Sequence, residues 1–414
     1  MRLKNGRAWP ELRQEMLALK ELDFDWRRGR LPSYIYYRDD ALLALQQEAY
    51  GLFMIENALG KARAFPSLLK MERDVIAMAL DLLGGDEASD GIFTSGGTES
   101  LILAVKAARD WARAEGRFRE PFRVLASETA HPAFSRAGHL LNVEVHRLPM
   151  RSQDFRADVA AFADAIDDHT IMLVGSAPHY PNGVFDPIGE LGALANDRGL
   201  WLHVDACVGG FLAPFARLNG SPVPAFDLSV PGVSSLSADI HKYGFAAKGA
   251  SLLLFRHGER KRYGGFSFDW VKGTYATDGL LGTRPGGAIA CAWAVMNHLG
   301  LDGYRALAAT TLQTTEAFTT GIDRIPGLRV VRPYDLCIFT YGSEDPDLDI
   351  NAVADAMSRR GWFVARGLKP IPSIQIAVNP VHAPIVDEYL SDLSASVDEV
   401  RAGKLVGTFD ARTY

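Results

Sequence analysis

Apolar positions along this chain change their spacing at about residue 90. Before it, Leu12, Met16, Leu19 and Leu22 recur at roughly helical intervals, with Pro10 suited to a first helical turn. Residues 26–37 form a connector containing proline and aromatic residues. Two further helices are expected over Ala41–Gly51 and Pro66–Leu83, the second with Leu68, Met71, Val75, Met78, Ala79 and Leu82 on one face. After Asp90, short apolar runs alternate with helical patterns. Strands are expected at Gly91–Phe93, Val124–Ala126, Ile171–Val174, Leu200–Val204 and Ser251–Phe255, with helices at Glu99–Ala114, Ala133–Leu140 and Pro187–Arg198. Such alternation implies a mostly parallel sheet with ligands at the strands' C-terminal ends. The last segment reads helix, strand Leu328–Val331, strand Leu336–Tyr341, helix Asn351–Arg360, strand Ser373–Val378, helix Ala383–Arg401. Three units are therefore expected: a helical arm over 1–65 that packs on something else, a large domain over 66–300, and a small C-terminal α/β domain over 301–414.

Composition narrows the partners. The 414 residues carry a net charge of −6, which disfavours a nucleic-acid partner because phosphate backbones attract basic faces. The one basic run, Arg27-Arg28-Gly29-Arg30, reads as a solvated surface turn. Three widely spaced cysteines, Cys207, Cys291 and Cys337, suggest free thiols in a reducing compartment. No apolar run approaches the ~20 residues that span a bilayer, and Ala288–Met296 reads as a buried helix. The N-terminus has charges and Trp9-Pro10 where a signal peptide would need an apolar stretch, so a cytoplasmic protein is expected.

The candidate chemistry lies in three segments. Leu202-His203-Val204-Asp205-Ala206-Cys207 ends an apolar strand in an acid, and Ser234-Ser235-Leu236-Ser237-Ala238-Asp239-Ile240-His241-Lys242-Tyr243-Gly244 reads as a small-residue loop carrying a lysine. Upstream, Thr94-Ser95-Gly96-Gly97-Thr98-Glu99-Ser100 opens a helix whose N–H groups and dipole suit an anion. It lacks the Gly-Lys-Ser/Thr ending of a nucleotide loop, so a smaller phosphate fits better. Lysine, acid and phosphate loop together are what a pyridoxal phosphate enzyme needs. The lysine forms a Schiff base with the cofactor aldehyde, and the acid keeps the pyridine nitrogen protonated. Each residue also has a plainer reading. Lys242 also reads as a surface charge and Asp205 as a helix cap, while Lys248 competes with Lys242 as the covalent lysine on chemistry alone. His131 either caps the helix it opens or stacks on the cofactor. His203 is a substrate-side group or a core histidine. Leu281-Gly282-Thr283-Arg284-Pro285-Gly286-Gly287 holds a phosphate or only turns the chain. No metal site is expected.

Phe65-Pro66 through Met71-Glu72, Thr94–Ser100, His131–Phe134, His203–Phe211, Ser237–Gly249 and Gly282–Ile289 together resemble the fold-type I pyridoxal phosphate enzymes. Within their group II decarboxylase superfamily, the chain is most similar to the sphingosine-1-phosphate lyase family, over roughly residues 33–300. The resemblance implies a mostly parallel seven-stranded sheet sandwiched by helices. It makes Lys242 the Schiff-base lysine, Asp205 the ring-nitrogen partner and His131 the stacking ring, with Gly97, Thr98 and His241 on the cofactor phosphate. Gly282 and Thr283 would reach that phosphate from the neighbouring subunit, making the active site a property of a homodimer. Tyr37 and Lys248 match positions that bind the substrate's own phosphate. Two departures stand out. Asn57-Ala58-Leu59-Gly60 replaces Asn-Pro-Leu-His, losing a substrate-phosphate contact, and Ile240 stands where threonine is usual. The membrane anchor of eukaryotic members is not seen, which suggests a soluble bacterial-type member. The implied reaction is cleavage of a phosphorylated β-hydroxy amine to an aldehyde and phosphoethanolamine. An amino-acid decarboxylase is the alternative, with aminotransferase and cofactor-binding regulator behind it.

Overall fold

The computed structural model of the chain describes residues 6–368, 371–403 and 406–408, so the outermost parts of the expected arm and C-terminal domain lie outside the described residues. The helices are α1 (Trp9–Lys20), α2 (Asp40–Leu52), α3 (Pro66–Leu82), α4 (Gly97–Glu115), α5 (Ala133–Leu141), α6 (Val159–Ala165), α7 (Ile188–Arg198), α8 (Ala213–Leu218), α9 (Gly286–Asp323), α10 (Ile350–Arg359) and α11 (Val386–Gly403). The strands are β1 (Asp90–Thr94), β2 (Arg123–Ser127), β3 (Glu144–Leu148), β4 (Thr170–Ser176), β5 (Trp201–Asp205), β6 (Val233–Ala238), β7 (Ser251–Phe255), β8 (Phe266–Trp270), β9 (Gly273–Thr277), β10 (Leu328–Val330), β11 (Ile338–Ser343), β12 (Ala365–Gly367) and β13 (Ser373–Ala377).

Seven strands form one sheet in the order β1-β7-β6-β5-β4-β2-β3, and β7 alone runs against the others. Every residue of β4, β5, β6 and β7 is buried. That is the signature of a sheet covered by helices on both faces. The first part of the small-residue segment expected as a loop, Ser234–Ala238, belongs to the strand β6. Its serines are tolerated inside because their hydroxyls are paired. Ser235 Oγ accepts from Trp201 Nε1 at 2.8 Å and meets His203 Nδ1 at 2.8 Å. The hairpin of β8 and β9, which the apolar pattern does not predict, is exposed along the whole of β8.

The second sheet, in the order β10-β11-β13-β12, is antiparallel throughout. Helix α9 runs for 38 residues, bending at Gly300 (φ 55°, ψ −170°), and packs on α2, α3 and α8 before reaching β10. The two sheets are also joined directly. Tyr243 Oη donates to Val378 O at 2.7 Å, Gln375 Nε2 to Tyr180 O at 2.7 Å, and Phe185 N to Asp335 Oδ2 at 2.7 Å. The basic run is not wholly a solvated turn: Arg30 lies over Trp362 at 4.1 Å and pairs with Glu388 and Asp392 of α11. Helix α1 buries none of its residues in this chain.

Close packing at the strand ends depends on two adjacent glycines after β5. A Cβ on Gly209 would lie 2.2 Å from Ala177 O, and one on Gly210 would lie 2.6 Å from Ala238 Cβ. Both clashes are with backbone or a Cβ, which no rotamer change relieves. Gly209→Ala is expected to cost about 1–3 kcal/mol, read as a lowered denaturant midpoint. It should also weaken cofactor retention, because the displaced loop begins at Asp205.

Candidate active site

The C-terminal ends of the parallel strands surround a cavity of about 540 Å³. Strand register places Ser176, Asp205 and Ser237 side by side across β4, β5 and β6. The chain then turns through Asp239 to Lys242. At the far side β1 delivers the loop Ser95–Gly97 and the N-terminus of α4. His131, Lys248 and His241 complete the wall, with Tyr36 and Tyr180 beside them.

The phosphate loop is shaped by Glu99. Its Oε2 accepts from Ser95 N at 2.7 Å and Ser95 Oγ at 2.6 Å, and its Oε1 accepts from Leu280 N at 2.9 Å. The first N–H groups of a helix have no partner within it, so the end of α4 presents free donors to the cavity. Gly97 is required by close approach, since a Cβ there would lie 2.9 Å from both Asp239 Oδ2 and Cys207 Sγ.

Lys242 Nζ lies 3.0 Å from Asp239 Oδ2. Burial alone would lower the lysine's pKa, but the surrounding acidic groups, Asp239 foremost with Cys207, Tyr36 and Asp205, together outweigh it and hold the amine above its ordinary value. Asp239 in turn is held below the usual carboxylate range, its burial outweighed by Lys242 and His241. Asp205 is different. Its carboxylate, 8% exposed, accepts only from Cys207 N at 3.1 Å and Ser237 Oγ at 3.5 Å. Among the described residues no cation lies within ion-pair distance of it. A buried carboxylate with neutral partners fits a protonated pyridine nitrogen. That acid, the lysine and the open helix end together suit pyridoxal phosphate.

The histidines separate into two kinds. Burial pushes His241 down to about 4, so its ring is neutral, and Nδ1 accepts from Ala250 N at 3.3 Å. His131 has both of its expected roles available: Nδ1 accepts from Ala133 N at 3.1 Å at the start of α5, and the ring lines the cavity. His203 is a core residue, fully buried against Phe134 with its pKa pushed to about 4, and it does not face the cavity.

Lys248 lies at the cavity mouth, donating to His241 O at 3.2 Å and standing 4.9 Å over the Tyr36 ring. Solvent reaches it, yet protein crowds it, and that desolvation together with the Lys242 charge lowers it to about 8. Tyr37 is the one expected substrate contact that the chain holds apart. Its hydroxyl donates to Asp40 Oδ1 at 2.8 Å and its ring packs on Trp26, while its neighbour Tyr36 occupies the cavity wall. Gly282 and Thr283 also lie outside this chain's cavity wall. Thr283 Oγ1 accepts from Asn57 Nδ2 at 3.1 Å, so the glycine-rich segment 281–287 and the segment Asn57–Gly60 pack together. Asp239, Glu99 and Tyr36 were not singled out from the sequence. Asp239 carried a signal, as a second acid at a strand end three residues before the lysine.

Comparison with known proteins agrees with this geometry. Residues 54–332 match the family described as the pyridoxal-dependent decarboxylase conserved domain. The chain is 40% identical to a sphingosine-1-phosphate lyase of Oryza sativa subsp. japonica over 94% of its length and 72% of that protein. It is 35% identical to sphingosine-1-phosphate lyase 1 of Rattus norvegicus, covering 95% and 69%. The structure of a Burkholderia pseudomallei sphingosine-1-phosphate lyase superposes with a TM-score of 0.91 at 37% identity, covering 97% of this chain and 93% of that one. A Lactobacillus brevis glutamate decarboxylase at 20% identity shares the fold, with a TM-score of 0.84. No helix among the described residues is long and apolar enough to cross a membrane. This chain belongs to the sphingosine-1-phosphate lyase family of pyridoxal phosphate-dependent, fold-type I enzymes.

Proposed function

We propose that the protein cleaves the carbon–carbon bond of a phosphorylated β-hydroxy amine such as sphingosine-1-phosphate, giving an aldehyde and phosphoethanolamine. The observation that carries this reading is Lys248. It is a second cation on the cavity wall with no carboxylate within ion-pair distance among the described residues, and it stands apart from the Lys242–Asp239 pair. An amino-acid decarboxylase would also need a cation, to orient its substrate's carboxylate, so it is the lyase relatives that favour the lyase reading of this anion site.

Bound pyridoxal phosphate supplies an electron sink for a bond broken at the amine-bearing carbon. The remaining work falls to side chains. Lys242 would hold the cofactor, and when free its amine is kept protonated by Asp239, ready to carry a proton. Asp205, with no cation of its own among the described residues, would favour a proton on the ring nitrogen. Gly97, Thr98 and the neutral His241 would hold the cofactor phosphate, and His131 would pack against the cofactor. Lys248 receives the substrate phosphate, with the Tyr36 hydroxyl beside it. Burial keeps that phenol protonated, so it acts as a neutral donor.

The working unit in this reading is a homodimer in the cytoplasm, with Tyr37, Gly282 and Thr283 serving the partner's site. Exposed apolar side chains on α1 (Trp9, Met16, Leu19) and on the β8–β9 hairpin (Phe266, Phe268, Trp270) support a covering second copy. All three cysteines are buried and unpaired, which suits a reducing compartment.

Three outcomes are expected. Mass spectrometry of the protein incubated with sphingosine-1-phosphate should show the long-chain aldehyde and phosphoethanolamine, and Lys242→Ala should abolish both. Carbon dioxide from a free amino acid, with no aldehyde, would instead select the decarboxylase. Because Lys248 is charged below about 8 and neutral above it, KM for the phosphorylated substrate should rise as pH increases through that value. Lys248→Met should raise KM about tenfold and flatten that dependence, since a charge-assisted contact is lost at every pH. Finally, sedimentation equilibrium should give twice the chain's mass, and a mixture of inactive Lys242→Ala and Thr283→Asp chains should recover activity in hybrid dimers.

A further inference from the structure

His131 stands in the cavity wall on the turn that joins β2 to α5, and its ring is fixed from within that segment, with Nδ1 accepting from Ala133 N at 3.1 Å. Its main chain is fixed from outside. Arg147, near the end of the edge strand β3, pairs in register with Ala126 and sends its guanidinium over the turn. Nη1 donates to Ser127 O at 3.2 Å and Ala130 O at 2.5 Å, and Nη2 donates to His131 O at 3.2 Å. Nε and Nη2 also donate to Ser135 Oγ in the first turn of α5, at 3.3 and 2.9 Å. One planar fork therefore holds the end of β2, the turn and the start of α5 together. Arg147 itself does not line the cavity.

A cation is a costly group with which to pin a turn. The guanidinium is half-buried, burial holds its pKa below the ordinary value, and no acid among the described residues offsets that. Its charge also reaches the ring. Burial is the main cause keeping His131 below the usual histidine pKa, and Lys242 and Arg147 push the same way against Asp205 and Asp239. A neutral ring whose Nδ1 accepts carries its proton on Nε2.

We propose that Arg147 is a positioning residue for His131: by holding the carbonyls of the 127–131 turn, it sets where the imidazole stands against the cofactor. The assignment rests on the reading above that packs His131 against pyridoxal phosphate. It adds to that reading a residue that touches neither cofactor nor substrate.

The test is a double-mutant cycle on the holoenzyme. Two quantities are read: the pyridoxal phosphate concentration for half-saturation, and the visible circular dichroism per bound cofactor. Neither depends on which substrate bond is broken. Arg147→Gln should raise the half-saturating concentration about tenfold and weaken the dichroic band. Arg147→Lys, which keeps the charge and loses the fork, should recover only part of both. Ser135→Ala removes the contact with α5 and none with the carbonyls, so it should leave both readings within about twofold. His131→Ala should weaken both by itself, and adding Arg147→Gln to it should change them less than about twofold, because the ring being positioned is gone. The cycle is run with Arg147→Lys as well, which keeps the comparison intact if the glutamine variant does not fold. A lowered melting temperature with both cofactor readings unchanged, or equal losses with and without the His131 ring, overturns the assignment and leaves the role of His131 standing. If His131→Ala alone leaves both readings unchanged, the packing of His131 on the cofactor falls and the assignment falls with it.

Discussion

The parallel strands β4, β5 and β6 all stop at one edge of the sheet, and the functional side chains are arranged around that edge. In-register pairing puts Ser176, Asp205 and Ser237 in a row, and the turns that follow have to carry Cys207, Asp239 and Lys242 over it. Backbone closeness is the condition for this. Gly97, Gly209 and Gly210 each lie where a Cβ would meet a neighbour within 3 Å. The glycines therefore govern the distances on which the charges depend.

Two acids at that edge have been given opposite situations. Asp239 has its own cation 3.0 Å from Oδ2, while its buried Oδ1 has no hydrogen-bond partner among the described residues. Asp205 has only neutral donors among the described residues, which suits a cationic ligand. A buried carboxylate is costly unless paired, so the same residue type is structural in one place and receptive in the other. The histidines follow a similar division. His203 and His241 are both pushed to about 4 by burial, but only His241 faces the cavity.

Much of this was legible beforehand where the apolar signal is strong. The strand expected at Ser251–Phe255 matches β7 residue for residue, because four large apolar residues run together there. Strand β6 was hidden because Val-Ser-Ser-Leu-Ser-Ala has little hydrophobicity, and its burial depends on hydroxyl pairing with Trp201 and His203 that no periodicity reveals. The β8–β9 hairpin was hidden for the reverse reason: its apolar residues are exposed and mark no core. At the site, the lysine, Asp205 and the phosphate loop stood out because their chemistry is unusual for their position. Tyr36 and Tyr37 show the limit of such reading. A motif selects the segment, but which of two adjacent tyrosines turns inward is decided by Asp40 and Trp26 on one side and Tyr243 on the other.

Stitching between the two sheets has a consequence for how the molecule comes apart. Tyr243 to Val378, Gln375 to Tyr180 and Pro181, and Phe185 to Asp335 are short hydrogen bonds across the same cleft, and α9, broken by its kink at Gly300, reaches both sides. Separating the sheets would break all of them together and expose a shared core.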